Sequence, residues 1–466
     1  DRTSEKVSLT PSLGRAPQDS QYGARPKIWF AVYQLLWHLL LPFAFFRLAW
    51  RTRHSSEYLH HFFERLGFAY GKTTTPGSVW IHAVSVGETR AAQPLVQAYL
   101  ERGEKVLLTH MTLNGRRTGA ALFAKEIAAG QLRQVYLPYD LCWSVANFIR
   151  AFKPKFGLFM ETEAWPTVVF YCAEIGLPLF LVNARLSERS ARRVNQFGNA
   201  GRSLFQAFAG ILAQTQFDAE RYRTLGVKKV EIVGNLKFDV PLDSGLVEQG
   251  KSWKQKLHSD QRLMVCAAST RDGEESIILK AWKELLLSNS FDIAPLLCLV
   301  PRHPERFSEV ANQIQDAGLR FRCRSEWTVM PNIHSDIDVI LGDSMGEMPM
   351  YYSAADLVIM GGSLLPFGGQ NLIEACAAGC PVLLGEHTYN FQQAALDAIE
   401  MGAAKRIKGE LILGEPLALM DALKELLLNA SELAKMSSAA RAYSIEHQGA
   451  TKKILAALEH QNFTLN

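Results

Sequence analysis

The stretch "WIHAVSVGETRAAQPLV", residues 80–96, opens as a buried strand, breaks into polar residues and resumes as a helix. From residue 79 onward this step from a short apolar run to a helical stretch recurs, which is the pattern of βα repetition and a parallel sheet. In the first half the strand candidates are "VWIHAV", "KVLLTHM", "QVYLPY", "FGLFME", "LPLFLVN", "GILAQT" and "VEIVGN". In the second half they are "RLMVCAAS", "APLLCLVPRH", "DVILGD", "DLVIMGGS" and "PVLLGE". The two series read as two Rossmann-like domains in tandem, an α/β fold. Between them "LKFDVPLDSGLVEQGKS", residues 236–252, carries Pro241, Asp243, Ser244 and Gly245 without an apolar period, so a linker is expected over 237–258.

A chain of 466 residues is too long for one ordinary core. At 48% hydrophobic and 21% charged it reads as globular, and the balance of 50 basic to 46 acidic residues argues against wholesale nucleic-acid binding. Seven cysteines without C-x-x-C spacing, most of them in apolar runs, point to reduced buried thiols and a cytosolic environment. One segment departs from the globular pattern. "IWFAVYQLLWHLLLPFAFFRLAW", residues 28–50, has Arg47 as its only fixed charge and is long enough to span a bilayer. It is also long for the core of a secretory signal, and no small-residue cleavage site follows it. Basic residues flank both ends, so orientation is weakly specified. The next stretch, "RTRHSSEYLHHFFERLGF", mixes Arg51, Arg53, Arg65, His54, His60 and His61 with aromatics, which suits an anionic membrane surface. The domain reading is therefore a disordered leader over 1–27, an anchor helix over 28–55, a first domain over 56–236, the linker, a second domain over 259–445 and a last helix over 446–466.

In open α/β sheets ligands sit beyond the carboxyl ends of the strands, so the residues there carry the functional reading. Glu88 follows Gly87, which permits a tight turn, and stands beside Ser85 and His82. It is either a first-turn acid favoured by the helix dipole, which lowers its pKa, or a general base. Glu161 and Glu163 in "FMETEAWP" share one side if the strand continues, and two such acids need water or partners. Lys237 in "GNLKFD" is a phosphate or carboxylate ligand, or a surface lysine. Arg302 in "LVPRHPERF" stands between prolines and suits a phosphate, or else pairs with Glu305. In "GGSLLPFGGQNLIEACAAG" the glycines allow close backbone approach and Asn371 to Glu374 opens a helix, although N-x-x-E is also a capping-box spacing. Together with Arg302 and "DSMGEM", it points to a nucleotide site. No Walker sequence, no G-x-G-x-x-G after the first strand and no H-E-x-x-H is present, which disfavours an ATPase, a dinucleotide oxidoreductase and a zinc protease. Cys376 and Cys380, four apart on a helix, lack a matching pair and read as core.

Taken together, "SVGET", "VYLPYD", "METEAWP", "NARLSERS", "GNLKFD", "ASTRDGEE", "LVPRHPERF", "GDSMGEM" and "GGSLLPFGGQNLIEA" resemble the bacterial Kdo transferases, the 3-deoxy-D-manno-octulosonic acid transferases of lipopolysaccharide assembly. The resemblance runs from about residue 30 to residue 455 in order and spacing. It implies a GT-B fold, two Rossmann-like domains facing across a cleft, with an N-terminal membrane-anchoring helix and a last helix returning to the first domain. It implies transfer of Kdo from CMP-Kdo to the glucosamine disaccharide of a lipid A precursor at the inner membrane, with no metal and no cofactor. On these positions Glu88 matches the proton acceptor, and Glu161 and Lys237 match transition-state stabilisers. The CMP contacts fall on Pro301, Arg302, Met345, Gly346, Glu347, Asn371, Leu372, Ile373 and Glu374. The sequence departs from the family at Asn114 in "MTLNG", at Gln370 where His is usual and at Glu386 where Pro is usual. Two other readings stand beside it. One is a GT-B enzyme that transfers or epimerises UDP- or GDP-sugars, which a preference for UDP over CMP would reveal. The other is a membrane-attached scaffold that binds nucleotide without turnover, against which the presence of Glu88, Glu161, Lys237 and Arg302 argues.

Overall fold

In a computed structural model the described residues form fourteen strands, all paired in parallel, in two sheets of seven. The structure describes residues 27–52, 60–71, 76–327, 336–407 and 417–460, so the leader expected over 1–27 falls, but for Lys27, outside the described residues. The first sheet has the order β3-β2-β1-β4-β5-β6-β7. Its strands are β1 (Val79–His82), β2 (Val106–His110), β3 (Leu132–Tyr136), β4 (Phe156–Met160), β5 (Leu179–Ala184), β6 (Gly210–Ala213) and β7 (Val230–Ile232). The second has the order β10-β11-β9-β8-β12-β13-β14. It comprises β8 (Met264–Thr270), β9 (Leu296–Pro301), β10 (Phe321–Cys323), β11 (Val339–Leu341), β12 (Leu357–Met360), β13 (Val382–Leu384) and β14 (Ala404–Arg406). Helices cover both faces, so the central strands are buried throughout and read as unbroken apolar runs. In β8, Met264, Cys266 and Ala268 enter one core while Val265 and Ala267 enter the other. Strand order reverses between β1 and β4 in one sheet and between β8 and β12 in the other, and at such switch points the loops splay apart and leave room for a ligand.

The chain divides into two units. The first holds the residues up to Val233 and those from Ile454 onward; the second is Gly234–Lys453. The last helix, Ala450–His460, thus begins in the second unit and ends in the first. Most of the stretch read as a linker is a helix instead, Ser244–Ser259. Asp243 caps it by accepting from the Leu246 amide at 3.0 Å, and Trp253 and Leu257 are buried in the second core. The apolar period is set by Leu246, Gly250, Trp253 and Leu257, and the stretch ending at residue 252 cut it short. A Cβ at Gly250 would lie 2.3 Å from the Met350 carbonyl, so glycine permits that close helix packing.

Helix α1 (Lys27–Thr52) presents two faces. On one, the Tyr33 hydroxyl donates to Asp140 at 2.7 Å, the Gln34 amide donates to Thr167 at 2.6 Å and accepts from the Cys142 amide, and Phe30 meets Phe170 edge-on at 5.9 Å. On the other, Ile28, Leu35, Leu39, Phe43, Phe46 and Trp50 are exposed. Arg65, read as part of a basic membrane surface, is buried. Its guanidinium donates to the Met111 carbonyl and stacks 3.8 Å over the Tyr136 ring, because Glu64 beside it is buried as well and pairs with Arg116 at 2.6 Å.

Candidate active site

Helix α2 (Val86–Glu101) follows β1 at the switch point of the first sheet. Ser85, extended at φ −114°, is its N-cap and accepts weakly from the Glu88 amide at 3.4 Å. The Glu88 carboxylate bends back over the cap: Oε2 accepts from the Val84 amide at 2.8 Å and Oε1 from the Ser85 hydroxyl at 3.1 Å. The spacing Ser85-x-x-Glu88 is that of a capping box, but the carboxylate takes the Val84 amide, one residue before the N-cap, in place of the Ser85 amide. Gly87 does not make the turn, since it lies inside the helix and has open space around its Cα. The dipole-lowered carboxyl expected at this position is not found either. Burial pushes Glu88 up from 4.5 to about 7, against the Val84 and Ser85 hydrogen bonds, and the charges of Glu163 and Glu161 push the same way.

Those two acids follow β4, the other strand of the switch point. The strand does not continue through them. Glu161 turns left-handed at φ +55°, an uncommon conformation for a residue with a Cβ. It is 8% exposed, its carboxylate lies 3.4 Å from Arg185 Nε, and the Arg185 amide approaches its carbonyl. Glu163 accepts from the Trp165 indole at 2.8 Å, and burial raises its carboxyl against that hydrogen bond, with Glu161 adding to the rise. Burial and the charges of Glu163 and Glu161 thus act together on Glu88, which, at about 7, is half-protonated near neutrality.

The remaining expected residues belong to the second unit. Lys237 sits in the turn Leu236–Phe238, with its ammonium 5.3 Å from the centre of the Phe391 ring. Pro301 ends β9 and is buried, whereas Arg302 is exposed, its amide donating to the Thr270 carbonyl at 3.0 Å. The expected alternative pairing with Glu305 is absent: His303 is the nearer basic group to Glu305, at 3.9 Å, and Arg302 has no ion pair among the described residues. Met345 is exposed, and Gly346 turns at φ +82°. Glu347 accepts from Arg324 at 2.8 Å and from the Ser344 hydroxyl, so its carboxylate is held within the unit. Asn371 accepts from the Ile373 amide at 3.2 Å and donates to Glu374 at 3.1 Å, ahead of a helix of only five residues, Ile373–Ala377. Leu372 and Ile373 bury their side chains in the core and leave only main-chain atoms for a ligand.

The reading of strand ends overlooked what holds this second group in place. Glu274 is fully buried and accepts from the amides of Arg271, Gly362, Leu364 and Leu365, tying the loop after β8 to the loop after β12. Glu275, also buried, accepts from Thr270 at 2.7 Å and from Arg306 at 2.7 Å, which ties the same loop to the segment after β9. The signal was present in "STRDGEE": two acids opening a helix straight after a strand end have amides within reach. Gly361 closes the contact, because a Cβ there would lie 2.3 Å from the Ser269 carbonyl. Among the described residues no group of three or more His, Cys, Asp or Glu side chains is placed to hold a metal ion.

Residues 60–240 match the family model described as 3-deoxy-D-manno-octulosonic-acid transferase (kdotransferase). The 3-deoxy-D-manno-octulosonic acid transferase of Bordetella pertussis is 44% identical over 397 residues, 85% of this chain and 90% of that one. The enzyme of the same name from Haemophilus influenzae is 34% identical over 412 residues, 87% of this chain and 92% of that one. Among solved structures, the UDP-GlcNAc 2-epimerase from Neisseria meningitidis bound to UDP-GlcNAc covers 82% of this chain and 100% of its own, with a TM-score of 0.55 at 14% identity. HepE from Anabaena in complex with UDP-glucose covers 82% and 99% at a TM-score of 0.54 and 15% identity. Both are likenesses of fold alone, of the two-unit GT-B class.

Proposed function

Since this chain belongs to the 3-deoxy-D-manno-octulosonic acid (Kdo) transferase family, a family of glycosyltransferases, we propose that it moves Kdo from CMP-Kdo to the glucosamine disaccharide of a lipid A precursor, with inversion and without a metal, at the cytoplasmic face of a bacterial inner membrane. The observation that carries the reading is Glu88: a carboxyl raised to about 7, held by the Val84 amide and Ser85 hydroxyl at the switch point of the first sheet. A base poised near the working pH is ionised often enough to act and basic enough to take a hydroxyl proton.

In this reading Glu88 takes the proton from the acceptor hydroxyl as its oxygen attacks the anomeric carbon of Kdo. The bond from that carbon to the CMP phosphate oxygen breaks on the opposite face, and the electron pair leaves with CMP. Arg302, exposed and without an ion pair among the described residues, meets the charge on the departing phosphate, and Lys237 adds a second cation. Burial first, and then the charges of Glu163 and Glu161, keep the proton affinity of Glu88 high, and Glu161 is itself steadied by Arg185. CMP is held by Pro301 and Arg302, by Met345 to Glu347, and by the Asn371 side chain and the main chain of Leu372 and Ile373 ahead of Glu374. The apolar face of α1 attaches the enzyme to the membrane. Its other face is bonded along the first unit, so the helix lies in the bilayer interface.

The test is CMP release from CMP-Kdo and lipid acceptor with Glu88→Ala and Glu88→Gln. General-base catalysis contributes about 10²–10⁴-fold, and a loss of that size is expected in both variants. Turnover near wild type in both overturns the assignment.

A further inference from the structure

Two buried histidines lie behind the turn that holds Glu88. His82 ends β1 and His110 ends β2, and neither is exposed to solvent. Burial lowers His82 to about 3 and His110 to about 4, so both are neutral at working pH. His82 Nδ1 is 2.9 Å from the Thr109 hydroxyl. His110 Nδ1 is 2.9 Å from the Ala83 carbonyl oxygen. A carbonyl only accepts, so Nδ1 of His110 carries the proton and Nε2 is a bare lone pair. That Nε2 is buried with no hydrogen-bond partner among the described residues, which an unprotonated nitrogen tolerates better than a donor.

The Ala83 carbonyl and the Val84 amide are the two ends of one peptide group, and that amide donates to Glu88 Oε2 at 2.8 Å. We propose that His110 is a positioning residue for the base: its Nδ1–H holds and polarises the Ala83–Val84 peptide, whose N–H in turn holds the Glu88 carboxylate. The chain runs His110 Nδ1–H to Ala83 O, through the planar peptide, to Val84 N–H and Glu88 Oε2. A planar peptide passes orientation on directly, and hydrogen bonds in series strengthen one another. The surroundings leave this one degree of freedom to His110. The neighbouring bonds are already made, since the Ala83 amide donates to the Thr109 carbonyl at 3.0 Å and the Val84 carbonyl accepts from the Thr112 hydroxyl at 2.8 Å. Thr89, 3.4 Å from His110 Nδ1, spends its proton on the Ser85 carbonyl at 2.8 Å.

The proposal rests on the reading of Glu88 as the base. The charged or titratable groups that act on Glu88 are Glu163 and Glu161, with Arg185 on Glu161; Arg116 acts on His110, and His110 in turn on His82. The Val84 hydrogen bond favours the ionised carboxylate, so weakening it raises the pH at which Glu88 loses its proton. A hydrogen bond to a charged group is strong enough that losing much of it moves the acid limb of kcat/KM upward by about one pH unit.

The experiment compares pH profiles of CMP release for the full chain and for His110→Asn, His110→Gln and His110→Leu. Asn places its amide nitrogen where Nδ1 stood and keeps the donation; Gln carries the same amide past that point, and Leu has no donor. The expected result is an unmoved limb in His110→Asn and an upward shift in His110→Gln and His110→Leu. If the leucine variant fails to fold, the two amide variants still decide the matter. Glu88→Gln separates the two readings. A limb that persists in Glu88→Gln overturns the base assignment and this proposal with it. A limb lost in Glu88→Gln yet unmoved in His110→Gln overturns this proposal alone, whatever happens to thermal stability.

Discussion

Replacing Glu88 with Gln should stabilise the first unit above neutral pH and do almost nothing in acid. In the folded protein the carboxyl keeps its proton up to about pH 7, whereas its ordinary value is 4.5. Between those values the native state binds more protons than the unfolded chain, so stability falls as pH rises from 4.5 to 7 and is level on either side. The whole interval is worth about 3 kcal/mol at 1.36 kcal/mol per unit. Gln carries no charge and still offers an oxygen to the Val84 amide, so above pH 7 the variant escapes that loss. Allowing for burial of its own amide and the altered bond to Ser85, a gain of about 1–3 kcal/mol remains at pH 8. For a unit of this size that is an upward shift in Tm of roughly 4–8 °C at mid-range. Scanning calorimetry of the full chain and the variant at pH 8 and pH 5 reads it directly, and the other titrating groups are common to both proteins. The reasoning fails if Gln destabilises at both pH values, or if its gain is the same at both, because the carboxylate would then carry no desolvation penalty.

Two further outcomes follow from the second unit and from α1. Glu274→Ala removes one carboxylate from four amides, and it should destabilise the second unit by about 3–5 kcal/mol and weaken CMP binding at least tenfold. Calorimetry and CMP titration measure the two effects, and unchanged CMP affinity would show that the tie does not shape the donor loops. Phe43→Ser with Phe46→Ser strips two exposed rings from the apolar face, and partition onto anionic lipid vesicles should fall by at least about tenfold, since each buried ring contributes roughly 1.5–3 kcal/mol. Unchanged flotation with such vesicles would rule that face out as the membrane contact.

The central strands were legible because burial on both faces writes them as unbroken apolar runs, as in "GLFM" and "LFLVNA". The edge strands β10 and β14 were missed: "FRC" and "AKR" are three residues each, and an edge needs no such run. The helix Ser244–Ser259 was hidden by its own cap, because Pro241, Asp243 and Gly245 look like a linker until Trp253 and Leu257 are counted with Leu246. Glu88, Glu161, Lys237 and Arg302 do follow strands, β1, β4, β7 and β9, as the apolar runs before them imply. What they could not give was the state of Glu88. Local rules assign a first-turn acid a lowered pKa, and the opposite outcome depends on burial and on acids more than seventy residues away. Arg65 failed for a similar reason, since only the fold shows that Tyr136 and Met111 surround it.

The backbone shows where the fold accepts unfavourable geometry. Three non-glycine residues turn left-handed at or beside the carboxyl ends of strands near the switch points: Glu161 after β4, Asn183 in β5 and Ser269 in β8. Each such residue costs of order 1 kcal/mol and persists only where the surroundings hold it. Glu161 is held by the Val182 carbonyl on its amide and by Arg185 on its carboxylate, and Ser269 by Gly361 packed against its carbonyl. These are the positions from which Glu161 acts on Glu88 and from which the loop after β8 is tied to the loop after β12. The strain and the raised carboxyls therefore fall at the same strand ends, and the cores beneath them, closed and apolar, supply the stability that offsets both. On that argument the proton affinity of Glu88 is a property of the sheet's edge as a whole: Glu163 and Glu161 raise it from β4, the Val84 amide restrains it from β1, and His110 sets that restraint from β2.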